Sequence, residues 1–292
     1  MHVPVLLKEV MEALNPKPGE FFIDGTIGAG GHAKEILNRI GPKGRILGID
    51  WDKRAIERLK NEMPGGRKII LVAGNYAELP EILKNNRLPK ADGLVIDLGF
   101  SSDQLDRSGR GFSFLKDEVL DMRYSAENEL TAAEVINSFP QKDLEEIFYD
   151  YGEERFSRKI AKAVIEERRK KKILTTGELV RVIEKSVPGN YEKGRIHPAT
   201  RVFQALRIYV NRELENLEEL LSGLNAVLKP KGRAAIISFH SLEDRIVKNY
   251  FRTMGKNGIG KIITKKPVTA SKEEIAANPR SRSAKLRVME VL

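Results

Sequence analysis

Four glycines lie within the seven residues Gly25–Gly31, directly after the acidic residue Asp24. Glycine this dense lets a backbone approach a ligand closely, and a helix beginning just beyond would point backbone N–H groups toward it. A second acid, Asp50, follows about twenty residues later, a spacing typical of a carboxylate that accepts hydrogen bonds from two ribose hydroxyls. Together these residues predict a site for a cofactor that contains a nucleoside.

Two other segments carry an aromatic or an acidic residue near the end of a short apolar run. Tyr76 follows the run at residues 68–73, and its ring could pack on an adenine base. Asp97 lies near the end of the run at residues 93–98. Because open parallel sheets bind ligands beyond the carboxyl ends of their strands, we expect both residues to face the same ligand as Asp50.

The elements that must position these residues are apolar runs that alternate with helical patterns. Strands are predicted over residues 21–26, 45–50, 68–73, 93–98, 233–239, 261–265 and 285–291. Helices are predicted over residues 31–40, 52–63, 76–85 and 198–228, with a turn at residues 229–232. Near-continuous apolar strands separated by helices are typical of a parallel sheet covered on both faces. The fold class predicted is therefore α/β, with a doubly wound, mostly parallel, seven-stranded Rossmann-like sheet.

This alternation stops in the middle of the chain. From residue 106 to residue 197 no strand is convincing, and capping boxes open helices at Thr131 and Thr175. We therefore expect residues 1–105 and 198–292 to form the cofactor-binding core, and residues 106–197 to form a helical insertion. An insertion of this kind is a candidate substrate-recognition domain.

The glycine loop fits more than one cofactor. Its pattern Gly28-x-Gly30-x-x-Ala33 satisfies the relaxed dinucleotide fingerprint, so an NAD(P)-binding oxidoreductase is a rival hypothesis. Against this rival, no extended second nucleotide-binding half follows the fourth strand. The chain instead ends in two short strands, which is consistent with the terminal β-hairpin of S-adenosylmethionine (SAM) methyltransferases. The Walker phosphate-binding pattern is absent, which disfavours ATP hydrolysis.

Composition removes several classes of chemistry. The 292 residues include no cysteine, which excludes disulfides, thiolate metal sites and cysteine nucleophiles. The four histidines are too far apart in sequence to form a local metal motif, so we expect no metal site. No apolar run reaches the ~18 residues of a membrane span, and the N-terminus lacks the order of a signal peptide. The sequence therefore predicts a cytoplasmic protein.

The formal net charge of +10 is concentrated near the C-terminus. Residues 245–287, which we call the basic segment, hold 12 basic and two acidic residues, whereas residues 1–197 are nearly neutral. A local surplus of this size favours a surface that binds a polyanion. The alternative is a solvated basic face with no partner.

Long and unusual motifs run through the chain nearly from end to end. They include HVPVLLKEV from His2, DGTIGAGGH from Asp24, DLGFSSDQLD from Asp97, HPATRVFQALR from His197 and SFHSLEDR from Ser238. The glycine loop is shared by many folds, whereas the last two motifs are specific. On these motifs the chain resembles the bacterial 16S ribosomal RNA cytosine-N4 methyltransferases, a SAM-dependent family.

The resemblance implies SAM as the cofactor and assigns its contacts to Gly30, Gly31, His32, Asp50, Tyr76, Asp97 and Gln104. It also implies the reaction, which is methyl transfer to the exocyclic N4 of a cytidine in the decoding region. The implied partner is 16S rRNA within the small ribosomal subunit.

Attack by N4 needs no covalent enzyme intermediate, whereas methylation at C5 would need a cysteine, which this chain lacks. We hypothesise that Asp97, or a backbone carbonyl beside it, orients N4 while Phe100 or Phe112 packs on the base. The alternative is that Asp97 serves only the cofactor. His240 is the second catalytic candidate, as a contact for the base or for a phosphate, and the alternative is a structural hydrogen bond.

Other interpretations stay open at this point. Asp121 and Arg123 are weaker site candidates that a structural ion pair explains equally well. A noncatalytic RNA-binding or ribosome-assembly protein could also keep a SAM-binding fold, and it remains an alternative beside the oxidoreductase.

Overall fold

The computed structural model describes residues 4–63, 68–99, 109–191 and 196–292. The chain divides into two compact units. One unit comprises residues 1–99 and 214–292 and is called the core unit below. The other comprises residues 100–213 and is called the helical unit.

The described residues of the core unit form an eight-stranded sheet. In chain order its strands are β1 (Phe21–Asp24), β2 (Arg45–Asp50), β3 (Ile69–Ala73), β4 (Ala91–Asp97), β5 (Leu228–Ser238), β6 (Gly260–Ile262), β7 (Val268–Thr269) and β8 (Lys285–Val291). The spatial order is β3-β2-β1-β4-β5-β8-β6, with β7 also paired to β8. The first five strands run parallel, and β8 is antiparallel to its three neighbours. The predicted α/β, mostly parallel sheet is confirmed, and the two-residue β7 is a strand that the sequence did not predict.

The helices of the described residues, in chain order, are α1 (Leu7–Leu14), α2 (Gly31–Ile40), α3 (Lys53–Glu62), α4 (Leu79–Asn85), α5 (Ala132–Ser138), α6 (Gln141–Asp150), α7 (Ser157–Arg168), α8 (Thr176–Ser186), α9 (Thr200–Asn211), α10 (Glu213–Ser222), α11 (Leu224–Val227), α12 (Ser241–Lys256) and α13 (Lys272–Ala277). Short 3₁₀ turns cover Tyr76–Glu78 and Pro279–Ser283. Within the described residues, no helix combines the length and the apolarity that crossing a membrane requires.

Successive side chains along each strand point to opposite faces of the sheet, and each face carries an apolar core. Ile23 packs in a cluster with side chains of α4, α10 and α12, whereas its neighbour Phe22 packs in a second cluster with side chains of α1, α2 and α3. Because both faces are covered, every residue of β1 is buried. This burial explains why the first strands read as continuous apolar runs in the sequence.

The predicted long helix over residues 198–228 is wrong, because the structure has three helices there. Arg212 adopts a left-handed backbone (φ 50°) between α9 and α10, and Gly223 separates α10 from α11. The predicted turn at residues 229–232 is instead part of β5. The pairing of β5 with β4 shifts register between Ala91 and Gly93, which accommodates these residues without ending the strand.

The helical unit extends beyond the expected insertion of residues 106–197 because it also contains α9. This helix packs against α5 and α6 within the unit. Its Gln204 side chain donates a hydrogen bond to the Tyr151 carbonyl at 3.1 Å. Among the described residues of the unit, β pairing is limited to one isolated bridge between Val119 and Thr175.

A fully buried carboxylate helps to hold the helical unit together. Glu154 has no exposed surface, and the Tyr191 hydroxyl lies 2.7 Å from its Oε2 and donates to it. The backbone N–H of Phe156 donates to Glu154 Oε1 at 2.7 Å. The Arg155 guanidinium lies 4.9 Å from the centre of the Tyr191 ring. A buried carboxylate needs such donors, because an unsatisfied one is costly.

Replacing Tyr191 by Phe should lower the free energy of unfolding by about 1–3 kcal/mol, since Glu154 loses a donor while staying buried. Urea unfolding followed by circular dichroism measures the change. The matched control is Tyr149→Phe, which removes a hydroxyl from a side chain that is 63% exposed. Equal losses in the two variants would contradict the interpretation.

Candidate active site

Three acidic side chains lie at one edge of the sheet. Asp24, Asp50 and Asp97 end the adjacent parallel strands β1, β2 and β4. They come from distant parts of the sequence, and the parallel pairing brings them to the same carboxyl edge. The position is the one that the sequence predicted for a ligand.

The glycine loop connects β1 to α2 along this edge. Gly30 precedes α2 with a left-handed backbone (φ 76°), and a Cβ at this position would lie 3.1 Å from Met63 Sδ. At Gly31 a Cβ would lie 2.7 Å from Pro4 Cγ. Side chains larger than glycine are therefore disfavoured at both positions, and α2 begins directly after the loop, as predicted.

The Asp50 carboxylate holds the glycine loop through backbone hydrogen bonds. Its Oδ2 accepts from the Gly28 N–H at 2.9 Å, and its Oδ1 accepts from the Asp52 N–H at 2.8 Å. Burial raises the pKa of Asp50 to about 6, although these two hydrogen bonds act in the opposite direction. Each carboxylate oxygen can accept more than one hydrogen bond, so Asp50 keeps acceptor capacity for a ligand hydroxyl.

Asp97 is tied to the glycine loop by its backbone, and one of its two carboxylate oxygens makes no hydrogen bond to the described residues. Its N–H donates to Thr26 Oγ1 at 2.7 Å. Its Oδ1 is shielded from solvent and has no hydrogen-bond partner among the described residues. Burial is the main cause that raises the pKa of Asp97 to about 8, with further contributions from the charges of Asp24 and Glu243. This oxygen is a ready acceptor for a donor on a ligand.

Asp24 is the most deeply buried of the three acids, with 2% of its surface exposed. Burial raises its pKa to about 7, and the charge of Asp50 adds to the increase. The N–H of Thr26 donates to Asp24 Oδ1 at 3.3 Å. Because Asp24 is enclosed in this way, we interpret it as a support for the loop.

His240 lies at the end of β5 and caps α12. Its Nδ1 accepts from the Glu243 N–H at 3.4 Å, and Glu243 Oε2 accepts from the N–H groups of Phe239 and His240 at 2.8 and 3.3 Å. The Nε2 of His240 is shielded from solvent and makes no hydrogen bond to any residue that the structure describes. Glu243 is not among the site residues that the sequence predicts. Its spacing from His240 is that of a capping box, which could have indicated it.

The N-terminal segment packs on the glycine loop and explains the position of His32. The buried His32 ring has its Nε2 3.0 Å from the Val5 carbonyl oxygen. The N–H of the neighbouring Leu6 donates to Glu274 Oε1, on α13, at 2.7 Å. A direct contact of His32 with a cofactor therefore stays a prediction, while its contact with the N-terminal segment is observed.

Tyr76 lies on the 3₁₀ turn that follows β3. Its Cβ lies 3.4 Å from the position that a Cβ on Gly25 would occupy, so the residue adjoins the glycine loop. The ring is partly buried against the apolar cluster on one face of the sheet. Gln104 and Phe100 lie outside the described residues.

The predicted candidates of the helical unit have structural partners. Phe112 is buried and stacks on Tyr124, with ring centres 5.5 Å apart. Arg123 Nε lies 2.8 Å from Asp121 Oδ1, and the guanidinium also donates to the Asn128 carbonyl at 2.7 Å. These contacts support the structural interpretation of the Asp121–Arg123 pair.

Comparison with known proteins identifies related chains over the full length. The model of the MraW methylase family matches residues 1–292. A protein of Desulfotalea psychrophila named ribosomal RNA small subunit methyltransferase H is 48% identical over 291 residues, covering 99% of this chain and 98% of its own. A protein of the same name from Syntrophotalea carbinolica is 45% identical over 308 residues, which cover 100% of this chain and 98% of the relative. Among solved structures, TrmN from Thermus thermophilus has a TM-score of 0.46 at 12% identity, covering 98% of this chain and 48% of its own.

The raised pKa of Asp97 predicts how stability depends on pH. Because the folded state holds this proton more tightly than the unfolded chain, stability should fall as pH rises from about 4 to about 8. In Asp97→Asn this fall should be smaller by at least about 1 kcal/mol, since each pKa unit corresponds to ~1.4 kcal/mol.

Urea unfolding of both proteins at about pH 5 and about pH 9 measures the difference. The control Glu12→Gln removes an exposed carboxylate of α1 and should leave the pH dependence unchanged. If Asp97→Asn and the parent protein lose the same stability over this range, the proposed origin of the effect is wrong.

Proposed function

Because this chain belongs to the MraW methylase family, we propose that it is a SAM-dependent methyltransferase acting on the ribosomal RNA of the small subunit. The structural observation that supports this proposal most directly is the unsatisfied Asp97 Oδ1 at the same sheet edge as Asp50 and the glycine loop. Within that activity, we propose that the acceptor is the exocyclic N4 of a cytidine in the decoding region of 16S rRNA.

The residues at the sheet edge fit the parts of SAM, whose sulfonium supplies the methyl group. Asp50 has acceptor capacity for the ribose hydroxyls, and Tyr76 offers a ring face for adenine. The glycines of the loop carry no side chains that would obstruct the remainder of the cofactor. The full set of proposed cofactor contacts is Gly30, Gly31, His32, Asp50, Tyr76, Asp97 and Gln104. Membership of a methylase family favours SAM over NAD(P) at this loop.

Asp97 is proposed to orient the acceptor amine. The lone pair of cytosine N4 is delocalised into the ring, so N4 is a weak nucleophile until a hydrogen-bond acceptor holds one of its hydrogens. Bound SAM would supply the methyl group to N4 and keep the electron pair of its carbon–sulfur bond, while Asp97 would hold one N4 hydrogen in place. N4 then gives up one proton, which Asp97 or water accepts. A pKa near the working pH suits this role, and a cation bound beside Asp97 favours its ionised form.

His240 is proposed as the second contact to the base or to a phosphate. It follows β5, which pairs with β4 so that Asp97 lies opposite Ile237, three residues before His240. Its buried Nε2 has no hydrogen bond within the described part of the chain, and we propose that the substrate supplies the missing one. If Asp97 served only the cofactor, His240 would be the main polar contact to the base.

We propose that the basic segment binds RNA phosphates and that the helical unit recognises the substrate. On α12 the basic residues lie three or four positions apart, so they share one face of the helix: Arg245, Lys248, Arg252 and Lys256. Lys261, Lys265 and Lys266 are exposed on the strand and loop that follow. Phosphate contacts of this kind supply affinity without base specificity.

To test the proposal, the protein is incubated with SAM and with small ribosomal subunits that lack the modification, at the pH and salt concentration of a bacterial cytoplasm. Nucleoside mass spectrometry with position mapping should find N4-methylcytidine in 16S rRNA. In Asp97→Asn the single-turnover rate should fall by about 100-fold or more, because an amide carries no negative charge and cannot take up the proton that the amine gives up. SAM affinity, measured by calorimetry, should change by less than about tenfold.

The two measurements separate the alternatives. Lost SAM affinity with a normal rate at saturation would assign Asp97 to the cofactor alone. Absence of any methylated nucleoside with the parent protein, despite SAM binding, would favour a noncatalytic assembly protein. Binding of NADH in place of SAM would favour the oxidoreductase.

Changing Lys261, Lys265 and Lys266 to Gln should weaken binding to the small subunit and flatten its salt dependence. Each lost phosphate contact should reduce the slope of log affinity against log salt by about 0.7–0.9. SAM affinity should be unchanged. The matched control replaces Lys8, Lys60 and Lys84, which are exposed outside the basic segment. An unchanged slope in the first variant would identify the basic segment as a solvated face.

A further inference from the structure

Glu243 is a buried acid at the candidate site. The proposed reaction assigns it no role. It lies in the first turn of α12 with 2% of its surface exposed. A carboxylate is rarely buried in this way unless hydrogen bonds or charges compensate. The identity of those contacts therefore indicates what the residue does.

Two of these contacts join Glu243 to the end of β5. Its Oε2 accepts the N–H groups of Phe239 and His240, which are oriented toward the N-terminus of the helix. Backbone donors at a helix N-terminus favour a negative charge. The carboxylate thus fixes the backbone of the residue that carries the candidate imidazole.

A third contact fixes the imidazole itself. The Glu243 N–H donates to His240 Nδ1 at 3.4 Å. A ring nitrogen that accepts a hydrogen bond carries no proton, so the neutral ring holds its proton on Nε2. His240 Nε2 lies 3.1 Å from Glu243 Oε1 without forming a hydrogen bond, and the charge of the carboxylate favours a proton at that nitrogen.

The tautomer matters because the two ring nitrogens offer opposite chemistry. With the proton on Nε2, His240 presents a donor at the edge where Asp97 presents an acceptor. The amine edge of cytosine carries the complementary pair, since N4 donates and the adjacent N3 accepts. The charge of Glu243 also acts on Asp97 directly, because it contributes to the raised pKa of that acid.

We propose that Glu243 is a positioning residue that holds His240 as a neutral Nε2–H donor for the cytosine base. This inference rests on the proposed function for the identity of the base. The tautomer itself does not depend on it. The residue acts through His240 and is not proposed to touch the substrate.

The tautomer can be measured without substrate by long-range ¹H–¹⁵N NMR. The chain has four histidines, so loss of one signal set in His240→Ala assigns His240. The parent protein is expected to show the Nε2–H form. In Glu243→Gln the carbonyl oxygen can still accept the backbone hydrogen bonds but the charge is gone, and the Nε2–H form should lose population.

The matched control is Glu178→Gln, which removes the charge from the corresponding position of the α8 capping box. It should leave the His240 signals unchanged. Finding the Nδ1–H form in the parent protein would overturn the inference, as would an unchanged tautomer in Glu243→Gln. Because the parent measurement needs only the His240→Ala assignment, a folding defect in Glu243→Gln does not remove the test.

Kinetics then connect the tautomer to the reaction. In Glu243→Gln the single-turnover methylation rate should fall by about tenfold or more, with the KM for small subunits within about twofold. An unchanged rate would reduce Glu243 to a helix cap and overturn its role in the reaction. If the parent protein itself methylates nothing, the proposed function fails, whereas the NMR result still decides the tautomer.

Discussion

The candidate site depends on one constraint, which is the parallel pairing of β1 with both β2 and β4. This pairing gives the three strands a common direction, so that Asp24, Asp50 and Asp97 meet at one edge although the chain separates them widely. The hydrogen bonds that follow, from Gly28 to Asp50 and from Asp97 to Thr26, then lock the glycine loop to both neighbouring strands. If β2 and β4 ran antiparallel to β1, Asp50 and Asp97 would lie at the edge opposite Asp24.

The three acids at this edge are buried, and burying them costs free energy. Carboxyl groups lose hydration when they are enclosed, and the pKa values of Asp24, Asp50 and Asp97 rise for this reason. Asp50 is compensated by two backbone donors, whereas Asp97 Oδ1 has no compensation from the described residues. A protein that keeps a polar atom unsatisfied gives up stability at that point. Such atoms are expected where a ligand supplies the missing hydrogen bond.

Much of the core unit could be predicted from the sequence because its strands appear there as local patterns of residue types. Strands buried on both faces are continuous apolar runs, and three of the first four strands end in an aspartate. The division of residues 198–228 into three helices was not predictable from apolar periodicity, since it depends on the left-handed backbone of Arg212. Glu243 was missed for a related reason. A histidine in place of the usual serine or threonine hides the capping box, and only the fold shows that the box adjoins the site.

The N-terminal segment has a consequence for how the protein is made. Pro4 packs against Gly31, and the N–H of Leu6 is held by Glu274, so the first residues of the chain are secured by some of the last. During synthesis the glycine loop leaves the ribosome early, but its packing is completed only after α13 has been translated. The nascent chain therefore carries a glycine loop whose packing is incomplete through most of elongation. A chain truncated before α13 would keep the Gly28–Asp50 and Asp97–Thr26 hydrogen bonds of the glycine loop but would lose the Glu274 contact that secures the N-terminal segment beside it.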